Sequence, residues 1–202
     1  MLGDEGSGFN VGREAVRQFL VDADKAALGG PPAPHSVLKQ RITEWFGVDQ
    51  PLDILPMVHL PDPSPSVVQP PDTPKYLLVP RDKRLSQLSP LVFESAFGDG
   101  DPFALNVLKI CAQSLASSIQ ILLCPPHASS EHPPKCVLAS ETVICFGGSL
   151  VGIEKYRSMI LDALKDEGMG GHVFKYIEYV DDAAKIGAEG LAAAGVAGTG
   201  GS

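Results

Sequence analysis

Two stretches in the last third of the chain, "TVICFGGSLVGIEKYRSMILDAL" and "HVFKYIEYVDDAAKIGAEGLAAAG", constrain the fold more than any other feature. The first puts a short apolar strand before a glycine turn and a helical pattern. The second repeats strand, turn and helix. Strand-to-helix units in succession place their strands side by side with helices as crossovers, so the predicted class is α/β with a partly parallel sheet.

The remainder reads as helical additions. Ala15, Val16, Phe19, Leu20, Ala23 and Ala27 recur at three- and four-residue spacing, which predicts an amphipathic helix from Phe9 to about Ala27, stopped by Gly29, Gly30 and two prolines. A second helix is predicted from an N-cap at Ser36 to Phe46, with Trp45 in the core and Gly47 as the C-terminal stop. Helical spacing returns at Leu85, Leu88, Leu91, Val92 and Ala96 and ends at "FGDGDP". Asp101 followed by Pro102 is a helix start. Phe103, Val107, Cys111, Leu115, Ile119 and Leu122 then predict a long buried helix reaching Pro125.

Two insertions interrupt this pattern. Residues 60–75, "LPDPSPSVVQPPDTPK", have no hydrophobic period and read as a surface loop or linker, with an SH3-type ligand as the alternative. Residues 125–135 carry His127 and His132 without a third ligand, so no metal is assigned there. Cys111, Cys124, Cys136 and Cys145 form no CxxC pair and read as buried free thiols. A Cys124–Cys136 disulfide would suit a secreted protein, and nothing else in the sequence indicates secretion.

A hydrophobic content of 44% is enough for a core over residues 1–195, and residues 196–202 read as a disordered tail. The formal net charge of −8 argues against nucleic acid and anionic membranes as partners. No basic-then-apolar leader and no apolar run of membrane length is present, so a soluble, cytoplasmic protein is expected. "FGGS", Phe146 to Ser149, has two readings: the tight strand-to-helix turn of an α/β unit, or a backbone approach to a nucleotide.

Taken in order, the segments resemble one family. "GDEGSGFNVGREAVRQFL" is similar to the turn and helix of the N-acetylglucosamine kinases, members of the BadF/BadG/BcrA/BcrD-type ATPases. "LSPLVFESAFGDGDPFALNVLKICAQSLA" resembles that family's next helix pair, "VICFGGSLVGIEKY" its adenosine-motif strand and turn, and "DDAAKIGAEGLAAA" its closing helix. The resemblance implies an RNase H-like, actin-like ATPase fold in which two lobes close on ATP with the sugar between them. It makes Asp4, with Gly3 in the same acidic loop, a sugar ligand whose carboxylate accepts hydrogen bonds from hydroxyls or the amide. Glu5 would orient the loop or cap the helix. The alternative for this acidic pair is ordinary stabilisation of a helix N-terminus. ATP contacts would fall on Gly147, Gly148 and Ser149, and on Gly100 in the turn from Gly98 to Asp101. Gly187 and Ala188 would let the last helix approach the adenine pocket, or form a small-residue packing face. The implied cofactors are ATP and Mg2+.

The family's first lobe supplies a "DGGGT" phosphate loop, the catalytic aspartate and a "GTGS" phosphate loop. None of these precedes Met1, and the "GTGGS" at residues 198–202 follows a helix with no strand before it. The chain thus resembles the C-terminal domain with its first lobe missing, and no catalytic residue is assigned. The complete protein is expected to phosphorylate an amino sugar, N-acetyl-D-glucosamine to its 6-phosphate, while this chain alone is inactive because positioning and general-base catalysis are lost. The alternative is a noncatalytic sugar- or nucleotide-binding module. A third relative, the ATPase that activates 2-hydroxyacyl-CoA dehydratases, needs cluster-binding cysteines for which there is no motif. Apolar surface left open by a missing lobe predicts poor solubility or a homodimer.

Overall fold

The computed structural model describes residues 4–64, 66, 68–125 and 136–198. The chain divides into two compact units, Met1–Leu115 and Ala116–Ser202. The first is helical, with α1 (Gly8–Ala27), α2 (Val37–Phe46), α3 (Ile54–His59), α4 (Arg81–Arg84), α5 (Ser89–Phe97) and most of α6 (Pro102–Gln120).

Capping chemistry sets the ends of α1 and α2. Ser7 Oγ accepts from the Asn10 N–H at 3.1 Å, and the buried Asn10 Oδ1 accepts from the Gly6 N–H at 3.1 Å. Ser36 caps α2 as the sequence predicts, and Gly47 closes it at φ +62° in the left-handed region. Burial on α1 is concentrated at Val11, Ala15 and Val16, because its first half meets the 3-10 turn Ser86–Leu88. At that contact a Cβ on Gly12 would stand 1.8 Å from the Leu85 carbonyl oxygen, so only glycine fits. On α2 the buried residues are Leu38, Ile42 and Phe46, and Trp45, expected in the core, is half-buried.

Leu85 and Leu88 were expected on one helix with Ala96, but α5 begins only at Ser89. Pro90 sits in its first turn, where a missing N–H costs nothing; deeper in a helix it would break the ladder. The buried stripe of α6 is Ala104, Val107, Leu108, Cys111, Ala112 and Ala116. The predicted extension to Pro125 is not formed. After Gln120 the chain turns, Cys124 N–H donates to the Val137 carbonyl at 2.9 Å, and Val137 N–H returns a bond to Leu122 at 3.0 Å. Ile121 and Leu122 are exposed as a result.

The same turn overturns the free-thiol reading of two cysteines. Cys124 and Cys136 form a disulfide that closes the base of the second insertion. Cys111 is a buried free thiol as expected, whereas Cys145 is free and exposed. His127 and His132 lie outside the described residues.

The second unit holds β1 (Val143–Gly147), α7 (Glu154–Lys165), β2 (Tyr176–Val180) and α8 (Ala183–Gly198). β1 and β2 pair in parallel, from Val143 opposite Tyr176 to Gly147 opposite Val180. The α/β class and the parallel pairing are those predicted, with α7 as the crossover. α7 buries Tyr156, Ile160 and Leu164, whereas α8 is exposed from Ala183 to Ala194. α8 continues through Gly198, past the point where the sequence placed the start of a tail.

The proline-rich segment is tied down where it leaves and returns. Arg84, fully buried, donates from Nε to the Tyr76 carbonyl at 2.9 Å, and from Nη1 to Leu60 at 2.5 Å. Nη1 also reaches Val58 at 3.2 Å and Met57 at 3.3 Å, and Nη2 reaches Pro61 at 2.7 Å. These acceptors include the orphan carbonyls at the end of α3. Asp62 Oδ1 accepts from the Arg81 N–H at 2.8 Å, a second tie across the same loop.

Candidate functional site

In the second unit the parallel pair delivers both strands to one edge, where the chain turns into α7 and α8. Carboxyl ends of parallel strands are where open α/β sheets receive ligands, because the turns there are free of the ladder. Gly147, Gly148 and Ser149 are all exposed at this edge. Gly148 has φ +116°, a conformation that strains an L side chain, and a Cβ there would meet nothing within 4 Å among the described residues. Conformation fixes glycine at 148, and the space beside it is open.

The turn is braced from behind. Arg157 on α7 donates from Nη1 to the Val151 carbonyl at 2.7 Å, and its guanidinium stacks 4.9 Å from the centre of the Tyr179 ring on β2. Tyr179 O–H donates to Asp181 Oδ1 at 3.1 Å, and a Cβ on Gly152 would lie 2.5 Å from that hydroxyl. Gly152 thus holds the turn against the end of β2, and the carbonyl of Gly148 accepts from its N–H at 3.1 Å. The sequence resemblance named the first three residues of this turn and missed Gly152, Arg157 and Tyr179. The second glycine of "GSLVG", placed directly before the α7 pattern, was the available signal.

Charge at this edge selects what fits. Glu154 occupies the first turn of α7, and Asp182 caps α8 by accepting from the Lys185 N–H at 2.9 Å. With Asp181 beside it, both helix N-termini are already offset by carboxylates, which disfavours a bare phosphate there. The open glycine turn suits an uncharged ring or ribose. Gly187 and Ala188 are exposed, and a Cβ on Gly187 would meet nothing within 4 Å among the described residues, so close packing against these does not explain that glycine.

In the first unit, Asp4 and Glu5 are half-buried ahead of α1, and Gly3 lies outside the described residues. The Asp4 carbonyl accepts from the Ser7 N–H at 3.2 Å, while Gly6, at φ +77°, passes so close to Leu115 that a Cβ would be 2.7 Å from its side chain. The acidic loop is therefore pinned to α1 and α6 through its backbone, which leaves the Asp4 carboxylate without a hydrogen bond or ion pair among the described residues. The α1 cap is Ser7, so Glu5 is not the capping side chain. Glu5 acts instead on Cys111: burial above all, then the Glu14 and Glu5 carboxylates, push that thiol up to about 12. Glu14 itself is buried, and burial alone would raise its pKa. Hydrogen bonds from Arg17 Nε (2.7 Å), Arg17 Nη2 (2.6 Å) and Gln18 Nε2 (2.8 Å), with the Arg17 and Arg13 charges, hold it below its ordinary value.

Gly100, exposed at φ +68°, sits in a turn that has its own structural cause. Arg41 Nη1 donates to Ser95 Oγ at 2.7 Å and to Asp99 Oδ2 at 2.5 Å. The buried Asp101 accepts from Ser36 Oγ (2.7 Å), Leu38 N–H (2.8 Å) and Phe103 N–H (2.9 Å). Nearby, a groove of about 470 Å³ is lined by Arg41, Trp45, Phe46, Pro74, Tyr76 and Leu91, and the Trp45 indole N–H is buried without a partner among the described residues.

Among the described residues, no three His, Cys, Asp or Glu side chains converge as a metal site, and no helix is long and apolar enough to cross a membrane. Comparison with protein families, with curated proteins and with solved structures finds no match.

Proposed function

We propose that this chain is the C-terminal part of an ATP-dependent amino-sugar kinase that converts N-acetyl-D-glucosamine to its 6-phosphate, with an RNase H-like, actin-like ATPase fold. The reading is supported chiefly by one observation: an exposed glycine turn, Gly147–Ser149, at the carboxyl edge of a parallel strand pair. Gly148, open where a Cβ would stand, would let a nucleoside pass against the backbone, Gly147 would admit Ala183 of α8 beside the turn, and Ser149 would offer a hydroxyl to the ribose. The Asp4 carboxylate, free of partners among the described residues, would accept from the sugar in the first unit. Mg2+ would arrive with the nucleotide, since no protein cluster is formed for it among the described residues. Catalysis would need groups this chain lacks, so the chain alone binds without turnover. In this reading the protein is cytoplasmic, a compartment in which disulfides are rare, and the Cys124–Cys136 bond is the observation that speaks against it.

The test is calorimetric titration of the purified chain with ATP and Mg2+, and separately with N-acetyl-D-glucosamine, alongside an assay for sugar phosphate. Nucleotide binding lost in Gly148→Val, sugar binding lost in Asp4→Ala, and no product from this chain are the expected results. Absence of both binding events in a folded chain overturns the reading. The second reading, a noncatalytic binding module, predicts the same binding but also no turnover from the longest natural transcript.

A further inference from the structure

The two-stranded sheet of the second unit leaves both its outer edges unpaired among the described residues. Parallel sheets are normally covered on both faces, and open edges carry backbone groups that template another strand. The two edges differ in how they are defended. β2 carries Glu178 at its centre and is flanked by Lys175 and Asp181, the charged edge that blocks pairing. β1, Val143–Gly147, has neither a charge nor a proline, and Val143 is 50% exposed with Cys145 exposed beside it.

We propose that the β1 edge is a self-association surface, on which a second copy of this chain pairs β1 with β1 in antiparallel fashion about Cys145. The occupant follows from hydrogen bonding and charge. Only an extended strand satisfies a strand edge, and two-fold pairing of antiparallel edges centres on a residue, because edge-facing residues share one parity along the strand. Centring on Cys145 sets Val143 opposite Gly147, Thr142 opposite Gly148 and Glu141 opposite Ser149, so no like charges meet. The same operation on β2 sets Glu178 against Glu178, a destabilising pair. Joining at β1 yields a four-stranded sheet ordered β2, β1, β1, β2. A five-residue edge buries less than the ~1,200 Å² of a standard stable interface, so the dimer depends on concentration. The inference does not rest on the kinase reading.

Sedimentation equilibrium of the full chain over rising concentration tests it. The expected apparent mass climbs from 21.3 kDa to twice that value, and a short bismaleimide links two chains through Cys145, since Cys111 is buried and the other two cysteines form a disulfide. Cys145→Lys and, as a second variant should the first misfold by circular dichroism, Val143→Lys are expected to hold the monomer mass. Glu178→Lys is expected to dimerise like the parent. A monomer at every concentration, or a dimer unchanged by the β1 substitutions, overturns the proposal, as does a dimer lost only on substitution of Glu178.

Discussion

Asp101 and Ser36 are 65 residues apart in sequence and joined by a 2.7 Å hydrogen bond, through which one carboxylate serves the starts of two helices. Oδ2 also accepts the Leu38 N–H of α2, and Oδ1 accepts the Phe103 N–H of α6. Ser36 Oγ meanwhile accepts from the Lys39 N–H at 3.2 Å, so the cap and its support form one network. Removing the carboxylate orphans buried donors at both helices, and Asp101→Ala is expected to cost about 2–4 kcal/mol. Urea unfolding followed by circular dichroism measures it; a loss no larger than an ordinary surface substitution would show the double cap to be idle.

The same residue sets an acid dependence. Burial alone would raise the Asp101 pKa, but hydrogen bonds from Leu38, Ser36, Phe103 and Ala104 outweigh it and hold the group below its ordinary value. Glu14 is lowered as well. A depressed carboxylate contributes stability that is fully present above its unfolded pKa, roughly 4 for both types, and lost as pH falls through the folded value. The urea midpoint is therefore expected to hold from neutrality to about pH 5 and to fall below about pH 4. Asp101→Asn should be less stable at neutral pH and should fall less steeply on acidification.

Arg84 and the proline-rich loop give a paired expectation. The guanidinium satisfies carbonyls on Met57, Val58, Leu60, Pro61 and Tyr76. Arg84→Leu keeps the buried bulk but strands those acceptors, and a loss of about 3 kcal/mol or more is expected. Arg84→Lys, with a point charge in place of a planar fork, should recover only part of it. Replacing residues 64–73 with a short Gly/Ser linker should change the thermal midpoint little, because the ties at Leu60, Pro61 and Asp62 lie outside the replaced stretch. A large loss on loop shortening would assign the segment a packing role.

Local chemistry decided what could be read from the chain in advance. The ends of α2, the Asp101–Pro102 start and the two strand–turn–helix units were legible because caps, glycine stops and β-branched runs act over a few residues. The end of α6 was not, since Ile119 and Leu122 continue a helical period that only the distant Val137 interrupts. Arg84 lies in the run "RDKR", which resembles any solvated charge cluster, and its partners come from residues 57–76. At the candidate site, glycines marked the turn, whereas the Arg157–Tyr179 brace joins residues 22 positions apart on different elements.

The thiols should react very differently. With its pKa pushed to about 12 by burial and by the Glu14 and Glu5 carboxylates, Cys111 holds almost no thiolate at neutral pH. Cys145 is exposed. Iodoacetamide applied to the native protein without reductant is expected to label Cys145 alone by peptide mass spectrometry. Labelling of Cys111 at a comparable rate would mean that the packing around α6 opens readily.

Reduction of Cys124–Cys136 should act on the second unit. The bond closes a short loop, sequence separation 12, whose base is also held by the Leu123–Val137 bridge. Cross-linking a loop of this size restricts the unfolded chain by about 3 kcal/mol in the entropic account. The segment from Cys136 feeds directly into β1, and the Ala139 and Thr142 carbonyls both accept from the Lys175 N–H ahead of β2. Dithiothreitol is therefore expected to raise amide exchange across residues 137–147 and 175–180, while α1 and α2 keep their protection. The double variant Cys124→Ser/Cys136→Ser should reproduce that pattern without reductant. Uniform loosening of both units would instead show that they unfold as one.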